Sequence, residues 1–156
     1  MSAILQEPRL IIRNMRADDL EAVFANEQAA YTHPWTKGIL RDCLRVGYQC
    51  QVVEQDGELV GHAVLSAAAG EAHLLNISVA PDRQGRGVGR RLLRRMLRLA
   101  GEQGADTVFL EVRVSNTSAQ YLYQAEGFCE VGRRSGYYPH GANGREDAVI
   151  YAKPLV

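Results

Sequence analysis

The chain is poor in several features that mark large protein classes. Only three cysteines occur in 156 residues (Cys43, Cys50 and Cys129), and they form no CxxC pair. That argues against a disulfide framework or a zinc site and for a reducing compartment. Each thiol is expected to serve as small buried packing. No apolar run approaches the roughly 18 to 20 residues that span a bilayer, so no membrane contact is expected. The opening MSAILQEPRL has neither a basic start nor a long apolar stretch. No signal peptide is read there, and a cytoplasmic location is expected. Neither sign of charge is in excess, since 18 Lys and Arg stand against 18 Asp and Glu. Dedicated nucleic-acid binders are usually basic overall, so no direct nucleic-acid partner is expected. Repeats, low-complexity tracts and convincing linkers are missing, and one domain over residues 1–156 is the expectation.

What is present is strongly patterned. Apolar residues make up 46% of the chain, enough for a buried core. Arg9 to Met15 contains a short strand-like run. Leu20, Val23, Phe24 and Glu27 then follow at helical spacing, with Asp18 or Asp19 at the favourable end. His33-Pro34-Trp35 breaks that helix, and Thr36 can cap a second over residues 37–45. Tyr48 to Glu54 reads as a strand, Asp56-Gly57 as a tight turn, and Glu58 to Ala67 as the returning strand. Ala72 to Val79 continues this meander. Val88, Leu92, Leu93, Met96, Leu97 and Ala100 form one face of a helix from about Gly87 to Gln103, which Gly104 ends. Thr107 to Val114 is a strand and Thr117 to Glu126 a helix. Phe128 to Arg134 and Ala148 to Ala152 close the chain as a strand pair, with a turn signal at Asn143-Gly144. The fold class is α/β in the α+β sense. The order is β-α-α-β-β-β-α-β-α-β-β, and the hairpins demand a mixed, mostly antiparallel twisted sheet flanked by helices.

The stretch 82-DRQGRGVGRRLLRRM-96 follows a strand and runs directly into a helix. Glycines let a backbone adopt positive φ and approach a ligand closely. Peptide N–H groups at a helix start converge on anions, which the helix dipole favours. Three alternating glycines in that place favour phosphate binding over a plain turn. Counted from Gly85, the third glycine of a dinucleotide GxGxxG falls on Arg90, so that fingerprint fails. A P-loop is absent too. Arg86 and Arg90 lie near the expected phosphates, whereas Arg94, Arg95 and Arg98 read as a solvated helix face.

Within 108-VFLEVRVSNTSAQYLYQAEGF-128, Glu111 stands in an apolar strand, where a carboxylate tends to have its pKa raised. The strand alone leaves two readings open: an edge glutamate paired with Arg113 or another arginine, or a general base for an ammonium group. Asn116 can cap the next helix or hydrogen-bond an amide of a ligand. Tyr121 and Tyr123 point to different sides of that helix, and Tyr121 reads as packing.

The pattern Gln84-x-x-Gly87-x-Gly89 resembles the acyl-CoA signature of the GCN5-related N-acetyltransferase (GNAT) superfamily. The stretch 116-NTSAQYLYQAEGF-128 resembles a second signature of that superfamily, and the fold it implies is the GNAT fold. The segments 33-HPWT-36, 72-AHLLNISVAPDRQGRGVGRRLL-93, 110-LEVRVSN-116, 121-YLYQAEGF-128 and 137-YYPHGANGREDAVIYAKPL-155 look like the bacterial ribosomal-protein alanine N-acetyltransferases, the RimI type. The resemblance runs from about Arg9 to Leu155. Residues 1–8 lie outside it, with disorder as the expectation there.

This resemblance implies acetyl transfer from acetyl-CoA, in a ternary complex and without a metal, to the N-terminal alanine of a ribosomal protein (the eighteenth of the small subunit). It places the general base at Glu111 and the acid that protonates the departing thiolate at Tyr123. Backbone groups of Ile77, Ser78 and Val79 are to meet the acetyl and pantetheine portion. Gln84, Gly85, Arg86, Gly87, Val88, Gly89 and Arg90 are to meet the pyrophosphate. Gly85 and Arg86 depart from the arginine-glutamine order of some relatives, which puts affinity rather than function in doubt. The sheet is expected to splay between the strand ending near Val79 and the strand carrying Glu111.

Trp35, Tyr137 and Tyr138 can wall a peptide channel, and Trp35 can equally cover the core. Glu146 and Asp147 can neutralise a basic second residue of the acceptor, or stand simply as hairpin-end charges. A monomer or weak dimer is expected. Two other functions stay open: acetylation of a small amine or lysine side chain, and a non-catalytic acyl-CoA sensor.

Overall fold

The computed structural model describes residues 9–155. The disorder expected over residues 1–8 falls outside the described residues. The elements follow the expected order: β1 Leu10–Asn14, α1 Leu20–Ala30, α2 Lys37–Arg45, β2 Gln49–Gln55, β3 Glu58–Ala68, β4 Glu71–Val79, α3 Val88–Glu102, β5 Thr107–Arg113, α4 Thr117–Ala125, β6 Cys129–His140 and β7 Gly144–Pro154. Short 3₁₀ turns at Ala17–Asp19 and Pro81–Arg83 lead into α1 and the glycine loop. The strands lie in one seven-stranded sheet in the order β1-β2-β3-β4-β5-β7-β6. The β4·β5 ladder is parallel, while β1·β2, β5·β7 and β6·β7 are antiparallel.

The chain divides into two compact units and passes between them inside β3, β4 and α3. The first runs up to Ala63 and includes Ile77–Leu92. Val23, Leu40, Val52, Val53, Val60 and Leu92 are buried in it. Thr36 caps α2 as its spacing predicts, its Oγ1 accepting from the Ile39 N–H at 3.2 Å. Asp56-Gly57 forms the β2–β3 turn with φ of 52° and 83°, the conformation such a two-residue hairpin needs. Asp19 accepts from the Arg16 N–H at 2.7 Å and pairs with Arg13, which also holds Glu54 of β2. The guanidinium of Arg13 keeps the Asp19 carboxyl below its ordinary range.

The second unit comprises Val64–Asn76 and the chain from Leu93 onward. Leu65, Leu93, Met96, Leu110, Val149 and Tyr151 are buried in it. In α3 the inward position beyond Met96 goes to Leu99, which is buried, and not to Leu97. A helix with 3.6 residues per turn brings 92, 96 and 99 onto one line. Arg94 and Arg98 are exposed as read, but Arg95 is half-buried and its Nε has no hydrogen-bond partner. The closing hairpin is longer than its hydrophobic runs suggest. Strand pairing extends to His140↔Gly144, past a register shift between Arg134 and Tyr138. Gly136, with φ of 57°, sits in that shift, and the polar extension beyond it carries no core pattern. Of the cysteines, Cys43 and Cys50 are buried, and burial pushes the Cys50 thiol up to about 12. Cys129 is exposed, contrary to its expected packing role.

Candidate functional site

In the first unit, the end of β4 and the glycine loop form one continuous piece of backbone. Gly85 and Gly87 have φ of 77° and 83°, and a Cβ on either would meet nothing within 4 Å. The loop therefore needs glycine for its backbone angles and not for lack of space. Val88 begins α3 and is buried, which anchors the helix start, while Gln84, Gly85, Arg86, Gly87 and Arg90 are exposed and Gly89 is half-buried. The first N–H groups of α3 have no acceptor within the helix, so they are donors aimed at the loop. Positive-φ glycines, helix-start donors and the exposed Arg86 and Arg90 are groups suited to a pyrophosphate. Gln84 takes a more specific position than its motif suggests: its Nε2 donates to the Val79 carbonyl at 3.0 Å, tying the loop back to β4.

The expected contact segment Ile77–Val79 is partly engaged within the same unit. The Tyr31 hydroxyl donates to the Ile77 carbonyl, and Ser78 is buried. Beneath lies a polar network that motif reading did not reveal. His62 Nε2 and Glu27 Oε1 are 3.1 Å apart, His62 Nδ1 and Asn26 Nδ2 are 3.0 Å apart, and Asn26 Nδ2 reaches Ser78 Oγ at 3.4 Å. The other Glu27 oxygen accepts the Trp35 backbone N–H at 2.8 Å. Trp35 is half-buried, and its backbone is held by a glutamate that is itself buried. A signal did exist: Glu27 occupies the fourth place in the inward stripe of α1, where a lone carboxylate demands a buried partner. Nothing local named His62 as that partner.

In the second unit, Glu111 lies in β5 opposite Ile150 of β7. Its side chain is 9% exposed, and its Oε2 lies 2.5 Å from Nε2 of His73 on β4. Arg134 Nε approaches Oε1 at 3.4 Å. These neighbours reverse the expected acidity. The hydrogen bond with His73 outweighs burial and, with Arg134 assisting, holds the Glu111 carboxyl below its ordinary range. Strand alternation supplies the reason, since Leu110 and Val112 face the other side of the sheet and do not surround the carboxylate. The β4·β5 register sets His73 beside Phe109, which leaves Glu111 diagonal to the imidazole and within reach.

Arg113, the other partner considered for Glu111, goes elsewhere. Its Nη1 donates to Glu146 Oε1 at 3.1 Å, and its guanidinium covers the Tyr138 ring at 4.5 Å. Glu146 also accepts the Ser115 N–H at 2.9 Å, and Asp147 accepts the Gly136 N–H at 2.8 Å. Both acids are thus occupied in holding loop and hairpin backbone, which favours the hairpin reading over recognition of a basic acceptor residue.

Tyr123 is 6% exposed and packs edge-on to Phe128, with the tilted Tyr151 ring 6.2 Å away. Burial pushes its hydroxyl well above the usual phenol range, with Tyr138 adding to the effect. Such a hydroxyl keeps its proton at neutral pH. Tyr138 is half-buried with its own hydroxyl pushed up to about 12, mainly by burial and in part by Tyr137 and the Glu111 charge. Tyr137 stacks edge-on to it at 4.8 Å and is exposed, under the guanidinium of Arg134. Asn116 takes the capping role, its Oδ1 accepting the Ala119 N–H at 3.2 Å. Tyr121 is 74% exposed, which overturns its packing assignment. Among the described residues, no cluster of three His, Cys, Asp or Glu side chains is arranged to hold a metal ion. No helix there is long and apolar enough to cross a membrane.

Residues 11–128 match the Acetyltransferase (GNAT) family. The chain is 38% identical over 142 residues to the [ribosomal protein bS18]-alanine N-acetyltransferase of Haemophilus influenzae, covering 91% of this chain and 97% of that one. It is 37% identical over 144 residues to the enzyme of the same name from Escherichia coli, covering 92% and 97% of the two chains. The crystal structure of the ribosomal-protein-S18-alanine N-acetyltransferase from Escherichia coli superposes with a TM-score of 0.88 at 36% identity, covering 94% of each chain. The structure of Ard1 from Thermoplasma volcanium gives a TM-score of 0.85 at 27% identity, covering 94% of this chain and 98% of that one.

Proposed function

The chain belongs to the GNAT acetyltransferase family, and from that premise we propose that it moves the acetyl group of acetyl-CoA onto the N-terminal α-amine of a ribosomal protein that begins with alanine. The observation that carries the choice of acceptor is the likeness to bS18-alanine N-acetyltransferases over nearly the full length of both chains. Acetyl-CoA supplies an activated thioester; the remaining work falls to the chain's own groups.

The loop from Gln84 to Arg90 holds the pyrophosphate through backbone N–H groups, with Arg86 and Arg90 as flanking cations. Backbone of Ile77, Ser78 and Val79 orients the acyl and pantetheine portion, and an N–H there stabilises the oxyanion. Asn116 adds its remaining amide group. An amine must lose a proton before it can attack, and Glu111 is the carboxylate placed to take it. Tyr123, protonated because it is buried, returns a proton to the departing thiolate. Trp35, Tyr137 and Tyr138 flank the acceptor peptide. The protein acts in the cytoplasm as a single catalytic domain, a monomer or weak dimer.

The test is acceptor-dependent release of CoA, measured with an alanine-initiated ribosomal peptide carrying a free or a blocked N-terminus and with a polyamine. The free peptide should react, and the blocked peptide should release no CoA above the acceptor-free background, because it presents no α-amine to attack the thioester. Equal rates with the blocked peptide would move the reading to a lysine side chain. Preference for the polyamine would move it to a small amine. No release with any acceptor would leave only an acyl-CoA sensor. The Glu111→Gln variant should keep acetyl-CoA binding and lose turnover. Full turnover near neutral pH would remove Glu111 from the base role.

A further inference from the structure

Glu27 and His62 are 1% and 0% exposed, and the acetyl transfer described above uses neither. A carboxylate withdrawn that far from water is costly unless it is hydrogen-bonded. Leu20 and Val23 share the inward stripe of α1, and a third apolar side chain at position 27 would avoid that cost. What the carboxylate holds supplies the reason for it.

Glu27 Oε2 accepts the backbone N–H of Trp35 at 2.8 Å. Residues 31–36, between α1 and α2, form neither helix nor strand, so single contacts fix their path. Glu27 Oε1 faces His62 Nε2 of β3 at 3.1 Å. A carboxylate only accepts, so Nε2 carries the ring proton on that side. His62 Nδ1, 3.0 Å from Asn26 Nδ2, then accepts from the amide. The same amide nitrogen reaches Ser78 Oγ of β4 at 3.4 Å. The end of β4 has backbone ties of its own, since the Ala80 N–H donates to the Val60 carbonyl at 2.7 Å. Tyr31 adds a second tie, its hydroxyl donating to the Ile77 carbonyl. An irregular segment is thus fastened, through buried hydrogen bonds, to a strand that is already held.

We propose that Glu27 and His62 are positioning residues for the acceptor peptide: they fix the Trp35 backbone against the end of β4, so that the acceptor wall is set before the peptide arrives. The inference rests on the reading of Trp35 as part of that wall. No proton or bond is exchanged through the network. A wall set in advance spares the peptide the cost of ordering residues 31–36 on binding. The effect therefore falls on the peptide, and acetyl-CoA, whose strand is held by its own backbone bonds, is little affected.

Trp35 is the only tryptophan in the chain, so indole fluorescence reports on this wall without any substrate present. His62→Phe keeps a ring and removes both nitrogens. Glu27→Leu removes the acceptor of the Trp35 N–H. Glu27→Gln keeps an oxygen for that N–H. Its amide can donate to His62 Nε2 once the ring carries its proton on Nδ1 and the Asn26 amide turns over. In His62→Phe and Glu27→Leu the KM for the alanine-initiated peptide should rise about 10-fold or more, the scale of one lost hydrogen bond to a charged group. The KM for acetyl-CoA should stay near its wild-type value. Emission of the free protein should move to longer wavelength and be quenched more strongly by acrylamide. Glu27→Gln should recover most of both changes. Far-ultraviolet circular dichroism and thermal midpoints select the folded variants. Asn26→Ala cuts the link to Ser78 and leaves the Trp35 bond; it should move both readouts the same way by less, and it carries the test if the other two do not fold.

A wild-type peptide KM in the folded variants overturns the inference. So does a raised KM with unchanged emission, because Trp35 has then not moved. Equal rises in KM for peptide and acetyl-CoA overturn it as a general loss of the fold. A Glu27→Gln variant as impaired as Glu27→Leu overturns it too, since the held N–H would then not be what matters. Trp35→Ala separates the two readings. If it raises the peptide KM while His62→Phe does not, only the positioning role is lost; if it leaves the peptide KM unchanged, the acceptor-wall reading falls first and takes the inference with it.

Discussion

Leu92 and Tyr121 show how unevenly single side chains matter here. Leu92 is 0% exposed and Tyr121 is 74% exposed, although both sit in helices beside signature residues. Leu92→Ala should cost about 2–5 kcal/mol by leaving a cavity. Tyr121→Ala should stay within about 0.5 kcal/mol. Urea unfolding midpoints at constant slope check both. The sequence anticipated Leu92, because helical spacing identifies an inward stripe. It misassigned Tyr121, because an aromatic residue in a helix is apolar enough to suit either side. Glu111 was recognised as a candidate from its own strand, but its acidity was misjudged. Neighbours in sequence alternate across a strand, and the groups that set its charge come from β4 and β6.

At the level of elements, two short pieces of backbone decide how the functional groups are presented. Asn116 caps α4, the helix that bears Tyr123. Asn116→Ala should lower stability by about 1 kcal/mol through the lost cap. If its amide also holds the cosubstrate, the KM for acetyl-CoA should rise as well. Asn116→Asp, which keeps a capping oxygen, should restore stability and not KM, so the two roles separate in one pair of measurements. The glycine loop is the second case. Gly87 has φ of 83°, and an alanine there is strained by about 1–2 kcal/mol however open the surroundings. On the proposed pyrophosphate contact, Gly87→Ala should raise the acetyl-CoA KM more than it lowers kcat, because that contact lies remote from the reaction. These elements were legible because caps, glycines and helix stripes are local signals. The extended β6–β7 hairpin was not, since Gly136 and Pro139 interrupt one strand and Gly144-Arg145-Glu146-Asp147 gives the other no apolar alternation to announce it.

The molecule as a whole should lose stability in acid before it does so in base. Asp19, Glu111 and Glu146 all have acidities strengthened on folding, chiefly by Arg13, by His73 and by the bond from Ser115 respectively. A carboxyl with a lowered folded pKa contributes stability that is present above its unfolded value, near 4, and is lost as pH falls through the folded value. Urea midpoints should therefore be flat with respect to these groups above about pH 5 and should drop below about pH 4. Asp19→Asn should lower the midpoint at neutral pH and make the acid slope shallower. An unchanged slope would mean that the part-buried Arg13 pair contributes nothing in solution.

Order of elements, most of the inward helix faces, the Thr36 cap and the glycine turn between β4 and α3 followed from the sequence alone. Each depends on residues within a turn or two of one another, where spacing fixes which side chains share a face. The partners of the buried and reactive groups were decided only by the tertiary structure. His62 under Glu27, His73 on Glu111, and Arg113 given to Glu146 instead of Glu111 all join residues at least 33 positions apart. Hydrogen bonds of that kind are specified by strand register and helix packing. The same sequence pattern is therefore consistent with several sets of partners until the fold selects one.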